Sequence, residues 1–337
     1  MDVTIFGAGV FGLSVGWACV SRGAKVQVID PHGVAAGASG GIVGALAPHV
    51  PENWNDKKAF QLASLLASAH FWAGVEAASG LGTGYGRTGR VQPLTDARAV
   101  EMAQVRAEGA EALWQGQAIW EVVTAYLPSP TGLMIHDTLS ARIHPRRACE
   151  ALAAAITGHG GQVLKDGTAQ GMIVHATGWQ GLDALSEGRD RTMGAGVKGQ
   201  AALLRCDLGT HPQVFADGLH IVPHDDGTLA VGSTSERDLT SPAKTDAQIE
   251  GLIARARAAL PALRDAPVIQ RWAGVRPRAR SRAPMLGAWP DRQGHFIANG
   301  GFKIGFGMAP GVARVMADLV LEGRVTYPPG FDVNASL

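Results

Sequence analysis

Three glycines in the pattern Gly7-x-Gly9-x-x-Gly12 constrain this chain more than any other feature. Residues 2–6 (DVTIF) read as a short buried strand, 7–12 as a tight turn, 13–22 as a helix closed by Gly23, and 25–30 (KVQVID) as a second strand. A βαβ opening of this kind pairs its strands in parallel. Gly7 permits the turn, Gly9 lets backbone approach a pyrophosphate, and Gly12 lets the helix pack closely on the strand. The helix N-terminus then offers free N–H groups and a positive dipole end to phosphates. Asp30 ends the second strand, where a carboxylate can accept hydrogen bonds from ribose hydroxyls. A glycine-rich turn without a ligand is the bland alternative. The placement between strand and helix, together with the acid, points instead to a dinucleotide.

The next segment bears on which dinucleotide. Residues 36–48 (AGASGGIVGALAP) are small and apolar. They offer backbone N–H groups with little side-chain bulk, which suits lying along an isoalloxazine ring and favours FAD over a nicotinamide cofactor. A buried structural loop would share this composition. Glycine as a whole is abundant, 45 of 337 residues, as expected where backbone must approach a ligand closely.

Length and composition set the remaining bounds. A chain of 337 residues, 46 % hydrophobic and 18 % charged, can bury a large core, which excludes disorder and coiled coil. Thirty Lys and Arg against 29 Asp and Glu give a net charge of +1, with no electrostatic footprint for nucleic acid. Cys19, Cys149 and Cys206 form neither a disulfide framework nor a zinc pattern, which fits a reducing compartment. Residues 3–20 carry no charge, but acidic Met1-Asp2 precedes them and no small-residue cleavage site follows. We expect a soluble, cytoplasmic protein with no membrane span.

Further along, residues 57–79 form an amphipathic helix with Leu62, Leu65, Leu66, Ala69 and Trp72 on one face. A strand pair is expected over 82–94, helix over 96–127 with a break near Gly116, and a helix opened by His144-Pro145. Strands are expected at 162–165, at 172–175, and repeatedly between 196 and 234. Thr245-x-x-Gln248 reads as a capping box for a helix over 246–260. Residues 295–299 read as a strand, 300–307 as a glycine-rich turn, and 312–321 as the last helix, ended by Gly323.

The motifs in sequence order resemble the D-amino-acid oxidase superfamily of FAD enzymes. They are GAGVFGLS at 7–14, VID at 28–30, GASGGIVGALAP at 37–48, IHPRRACEAL at 143–152 and VHATGW at 174–179. VKGQ at 197–200, HIVPHDDGTLAVGST at 220–234, GVRPRARSRAPMLG at 274–287 and NGGFKIGFGMAPGV at 299–312 continue the series. Within the superfamily the chain is most similar to bacterial glycine oxidases and D-amino-acid dehydrogenases. The resemblance implies a mixed α/β fold, with a Rossmann-type FAD-binding domain interleaved with a β-sheet substrate-binding domain. The FAD-binding part would comprise 1–78, 140–195 and 275–337, and the substrate part 79–139 and 196–274. It also implies non-covalent FAD and oxidation of a small amino acid or amine at a C–N bond, with oxygen or another electron acceptor. Homo-oligomerisation is left open.

By the same resemblance, Gly7, Gly9, Gly12 and Asp30 would hold the ADP half, Asp30 standing where the family usually has Glu. Ala38, Ser39, Gly44, Ala45 and Leu46 would lie along pyrophosphate and flavin, Ala169 beside adenine, and Thr177-Gly178 under the cofactor. Gly300, Gly301, Phe302, Lys303, Ile304 and Gly305 would lie at the flavin's pyrimidine end. Arg276 matches the arginine that clamps the substrate carboxylate, a task suited to a planar guanidinium fork. Alternatively it belongs to a surface run with Arg271, Arg278, Arg280 and Arg282. His220 stands where glycine oxidases often carry Tyr, as a second substrate contact or as a plain strand histidine. Lys303 would set a cation near substrate and reduced flavin, or be a solvated turn residue. His49 and His220 are the candidate bases. Two rival readings remain open: a flavoprotein acting on a modified tRNA uridine, against which the charge and the lack of a fused methyltransferase domain argue, and a flavin-binding subunit without catalysis.

Overall fold

The computed structural model describes all 337 residues. The chain begins with β1 (Val3–Phe6), α1 (Val10–Val20), β2 (Val26–Ile29), β3 (Ala45–Leu46) and α2 (Asp56–Ser79). β4 (Arg90–Pro93), α3 (Ala97–Trp114), β5 (Trp120–Thr124), β6 (Leu133–Asp137) and β7 (Ala141–Arg142) follow. Next come α4 (Pro145–Gly158), β8 (Gln162–Leu164), β9 (Met172–His175) and α5 (Gly178–Ser186). The β-rich stretch holds β10 (Gly194–Arg205), β11 (Gln213–Ala216), β12 (Leu219–Pro223) and β13 (Thr228–Gly232). α6 (Gln248–Ala259), β14 (Val268–Ala279), β15 (Met285–Ala288), β16 (His295–Asn299) and α7 (Gly305–Glu322) complete the fold.

Two sheets organise these elements. The first has six strands in the order β15-β16-β9-β1-β2-β8, and the second has eight in the order β14-β10-β13-β12-β11-β4-β6-β5. β1 pairs in parallel with both β2 and β9, the arrangement expected of a βαβ opening. Because β1 and β2 lie in the middle of a covered sheet, both are mostly apolar and almost wholly buried, and their polar residues pair with each other, Gln27 Nε2 donating to Thr4 Oγ1 at 2.9 Å. α1 packs over them and is buried nearly all round, between that sheet, α4 and α7. Gly16 makes this possible: a β-carbon there would meet Ile156, Val28 and Ile5 at 3.1–3.3 Å.

The largest core cluster joins α1, α2, α4 and α7 to Trp114, Trp120 and Ile135 near the far edge of the second sheet. Fully burying each large side chain in it, such as Trp72, contributes about 1.5–3 kcal/mol. A second cluster of 16 residues lies between the second sheet and α6. No helix is long and apolar enough to cross a membrane.

Several expectations fail for identifiable reasons. The helix expected over 96–127 stops at Trp114, because Gln115 and Gly116 turn left-handed at φ 50° and 75°. Residues 120–124 become β5 instead, with Trp120 packed on Trp114 at 6.1 Å. Residues 82–94 form one strand, β4, plus an isolated bridge between Gly86 and Arg142, since Gly84 and Gly89 take positive φ. β6 was not anticipated.

Helix ends moved as well. The capping box at Thr245 does not form; α6 starts at Gln248, whose N–H donates to Asp246 Oδ1 at 2.9 Å. α7 begins at Gly305 rather than at 312, so the turn expected over 300–307 ends at 304 and Pro310 sits inside the helix. On α2 the buried stripe is Phe60, Gln61, Ser64, Leu65, Ser68, Trp72 and Val75, leaving Ala69 exposed. Ser64 faces α7, where the Gly311 N–H donates to its Oγ at 3.0 Å, and Gln61 faces the 47–49 segment, its Nε2 donating to the Ala47 carbonyl at 3.3 Å.

Candidate active site

A cavity of about 840 Å³ runs from the β1–α1 turn to the second sheet and is lined by 38 residues. At its first end, the glycine turn is held by close backbone contacts. A β-carbon on Gly7 would lie 2.3 Å from the Ala176 carbonyl oxygen, and one on Gly12 1.9 Å from that of Gly7. Gly9 caps α1 without a side chain, and the Val10 N–H donates to Ser39 Oγ at 2.9 Å. Asp30 follows β2. Its Oδ2 accepts the Ala8 N–H at 2.9 Å and its Oδ1 the His32 N–H at 3.0 Å. Each carboxylate oxygen keeps a lone pair, so the acid both organises the turn and can still take a ribose hydroxyl.

The loop after β2 runs along the cavity through Ala36, Gly37, Ala38, Ser39, Gly41, Val43, Gly44 and Ala45. Gly44 has no room for a side chain, since its β-carbon would sit 1.7 Å from the Ile143 carbonyl oxygen. Arg146, on the first turn of α4, donates from Nε to the Gly40 carbonyl at 2.7 Å and fixes the loop from behind. Below, Gly178 turns left-handed at φ 65°, and its carbonyl accepts from Asn299 Nδ2 at 2.8 Å. These backbone-rich walls, an open helix N-terminus and a carboxylate with spare acceptors fit the diphosphate and ribose of FAD.

The second end is built by β12, β14 and the loop after β16. Arg276 lies on β14, paired across to Val197 on β10. Its guanidinium stacks on the backbone of Gly199, where a β-carbon would fall 2.0, 2.2 and 2.4 Å from Nη1, Nη2 and Cζ. Its one protein hydrogen bond is a long one, from Nη1 to the Thr234 carbonyl at 3.4 Å. Burial pulls its pKa down to about 10, and Glu236 opposes that only in part. Glu236 is already engaged by Lys198 Nζ at 3.2 Å, Gln200 Nε2 at 3.0 Å and Thr234 Oγ1. The Arg276 fork therefore faces the cavity with no carboxylate of its own.

His220, on β12, lines the cavity next to Phe215, with ring centroids 4.8 Å apart. Its Nδ1 is buried without a partner. Burial, then the charges of Arg90 and Lys303, push its pKa down to about 4, so the ring is neutral at pH 7. Lys303 is exposed into the cavity, and burial followed by the charge of Arg276 lowers its pKa. Phe302 takes φ 44°, uncommon for an aromatic residue, and turns the chain so that Lys303 follows it onto the lining. Two backbone contacts tie this loop to β14: the Phe302 N–H donates to the Pro277 carbonyl at 2.9 Å, and Arg278 bridges to Gly301.

Most of the residues expected at the site line this one cavity, but six do not. Gly12 and Gly300 shape the backbone around it: a β-carbon on Gly300 would meet Ala279 at 2.8 Å. Leu46 is buried in β3, and Ile304 caps α7. Ala169 lies in the connection between β8 and β9, outside the lining. His49 is also outside it, its Nδ1 sharing a hydrogen bond of 2.5 Å with Gln61 Oε1. That position removes His49 as a candidate base.

Sequence reasoning missed Trp179, Phe215, Val275 and Asn299 on the walls, and Gly199 beneath Arg276. Only Gly199 left a signal: a glycine inside a strand marks a close approach of another group.

Comparison with known proteins agrees with this geometry. The model of the family described as FAD dependent oxidoreductase (DAO) matches residues 2–319. The bifunctional protein ThiO/ThiG of a Nostoc species is 28 % identical over 356 residues, spanning 96 % of this chain and 53 % of the relative. The glycine oxidase of Pseudomonas aeruginosa is 36 % identical over 129 residues, 38 % of this chain and 35 % of the relative. The chain thus spans about half the length, or less, of these curated relatives. The crystal structure of glycine oxidase from Geobacillus kaustophilus shares the fold, with a TM-score of 0.88, 21 % identity and 98 % coverage of each chain. With the family model covering nearly the whole chain, from the glycine turn to α7, the protein belongs to the FAD-dependent oxidoreductase family of D-amino-acid oxidase type.

Proposed function

We propose that this chain oxidises the C–N bond of a small amino acid, with glycine, D-amino acids and N-substituted glycines as the class to test. The observation that carries the reading is the desolvated Arg276 fork, which faces the cavity without a carboxylate partner. A guanidinium in that state binds a carboxylate bidentately and stays charged while doing so. The glycine oxidase relatives, whose names state that activity for those proteins, support the same class.

Arg276 would hold the substrate carboxylate, and Gly199 sets the plane of the fork. Holding one end of a small molecule directs its α-C–H, and such positioning can supply much of a rate enhancement. Bound FAD supplies the acceptor for the hydride that leaves the α-carbon. The amine must be neutral as that C–H bond breaks, its lone pair forming the C=N bond while an N–H proton passes to water. Low polarity and the nearby charges of Arg276 and Lys303 favour the neutral amine. His220, neutral and on the cavity lining, can hydrogen-bond the amine or carboxylate without adding charge. Hydrolysis of the imine then gives a 2-oxo acid and ammonia or an amine.

An anaerobic titration of the FAD-loaded protein with glycine, sarcosine, D-alanine, D-proline and L-proline tests this reading. Loss of the flavin's visible absorbance with one or more of them is the expected result, and Arg276→Ala should lower kcat/KM about 30-fold or more. FAD that stays oxidised with every amine offered would sink the proposal, as would an Arg276→Ala variant of unchanged kcat/KM.

A further inference from the structure

The Arg276 fork has a neighbour on its sheet. Positions 272, 274 and 276 of β14 share one face of the strand, and Gly274 pairs with Gly199 of β10. The fork lies on Gly199, while the indole of Trp272 lies on Gly274, where a β-carbon would meet its Cζ2 at 2.4 Å and its Cη2 at 2.6 Å. The β-carbon positions of paired residues on one face are about 4.5–5.5 Å apart. Indole and guanidinium thus fill adjoining places on a platform of two glycines.

The same two ring atoms also face the loop along which FAD would lie. A β-carbon on Gly41 would be 3.4 Å from Trp272 Cη2 and 3.6 Å from Cζ2. Ile42, next in the chain, is buried with Ala201, Leu203 and Ala230 of the sheet, and Trp272 packs against that cluster. Gly41 and Arg276 both line the cavity, whereas Trp272 stands behind the lining and touches one while adjoining the other. The seat of the loop is small, four buried residues apart from the core cluster of 45, and β14 is the edge strand of its sheet. A segment held by few buried apolar contacts opens easily, so its seating is what a bound dinucleotide would bias. We propose that Trp272 is a positioning residue that couples seating of the dinucleotide loop to placement of the Arg276 fork. With residues 41–43 seated, the indole is held down on Gly274 and keeps the fork over Gly199. The proposal rests on the reading of Arg276 as the holder of the substrate carboxylate.

The test measures binding of acetate, a carboxylate with no amine to oxidise, by calorimetry on the full-length chain with and without FAD. In the wild type, loading with FAD should tighten acetate binding at least about fivefold, the lower end of ordinary coupling between sites. Trp272→Ala should bring that ratio to within about twofold of one, and Trp272→Phe, which keeps an aromatic ring, should restore it to about threefold or more. Trp272→Leu keeps the apolar packing without a ring edge; it should behave as Trp272→Ala and replaces it if that variant does not fold. FAD content and circular dichroism of each variant show whether it is folded and loaded.

A loading ratio that survives in Trp272→Ala and Trp272→Leu overturns the inference, even where both affinities fall together, because the coupling then runs through the cofactor itself. A wild-type ratio near one overturns it as well. In either case, acetate binding that is lost in Arg276→Ala leaves the amine-oxidation reading standing. Acetate binding of equal strength in wild type and Arg276→Ala removes the carboxylate holder and overturns both.

Discussion

The guanidinium of Arg276 lies flat on the backbone of Gly199, so close that a β-carbon at 199 would fall within 2.0–2.4 Å of three of its atoms. Gly199 and Arg276 sit on neighbouring antiparallel strands, β10 and β14, where Gly199 pairs with Gly274. Space for the fork therefore depends on Gly199, while Gly274 opposite makes room for the Trp272 ring, which a β-carbon there would meet at 2.4 Å.

Gly199→Ala is expected to displace the fork by an ångström or more and to lower kcat/KM about 100-fold. FAD content should not change, because residue 199 is absent from the cavity lining. Steady-state kinetics alongside the flavin absorbance of the purified variant check both halves.

Asp30 hydrogen-bonds two backbone N–H groups and retains lone pairs toward the cavity. Asp30→Ala should weaken FAD binding about 10- to 100-fold, the worth of one or two hydrogen bonds to a charged group. Asp30→Glu should keep most of the affinity. Quenching of flavin fluorescence as apoprotein is titrated with FAD measures each constant; equal affinities for wild type and Asp30→Ala would refute the role.

Lys198 is 4 % exposed and is matched by Glu236 and Asp246. Lys198→Met leaves Glu236 partly buried without its cation and should cost about 3 kcal/mol of stability. The same change frees residues 234–246, which carry the Thr234 carbonyl that accepts from Arg276. A lower Tm and a higher KM are expected together, and a variant that loses stability with KM unchanged would separate the network from substrate binding.

Acid should destabilise the protein through its buried histidines. Burial pushes His224 down to about 4, opposed by its hydrogen bond to the Ile42 carbonyl at 3.0 Å; the charges of His144 and Arg142 push the same way as burial, and Asp226 against it. His175 is also lowered to about 4, by burial and then by the charges of His295 and Arg292. With folded pKa values below the unfolded ~6.5, the unfolded chain binds more protons between these limits, so stability is full above pH 6.5 and falls toward pH 4. His224→Gln should flatten that fall by roughly 2–3 kcal/mol over the same window. Thermal unfolding at half-unit pH steps reads the slope. Because Ile42 lies in the loop lining the cavity, FAD release should accompany it.

The dinucleotide end was legible because its chemistry is local. Glycine spacing, a strand on each side and one acid are all within 30 residues, and the backbone clashes at Gly7 and Gly12 bear out why glycine stands there. Arg276 was legible only through the motif around it, since five arginines in 271–282 look alike until β14 turns one of them toward the cavity. Trp179, Phe215 and Val275 come from separate elements brought together by the packing of two sheets, and nothing in their own neighbourhoods marks them. Local patterns also misled at 96–127, where left-handed turning at Gln115 and Gly116 ended a helix that periodicity would have continued.

The stitching of Phe302 to Pro277 and of Gly301 to Arg278 has a further consequence. It joins the strand that carries Arg276 to the loop that carries Lys303 through the main chain, so these two side chains share a single frame of reference. Phe215 and His220 hang on β11 and β12, four and three strands away from β14 in the same sheet. Substitutions on that opposite wall can reshape what the cavity accepts while the frame that aims it stays fixed.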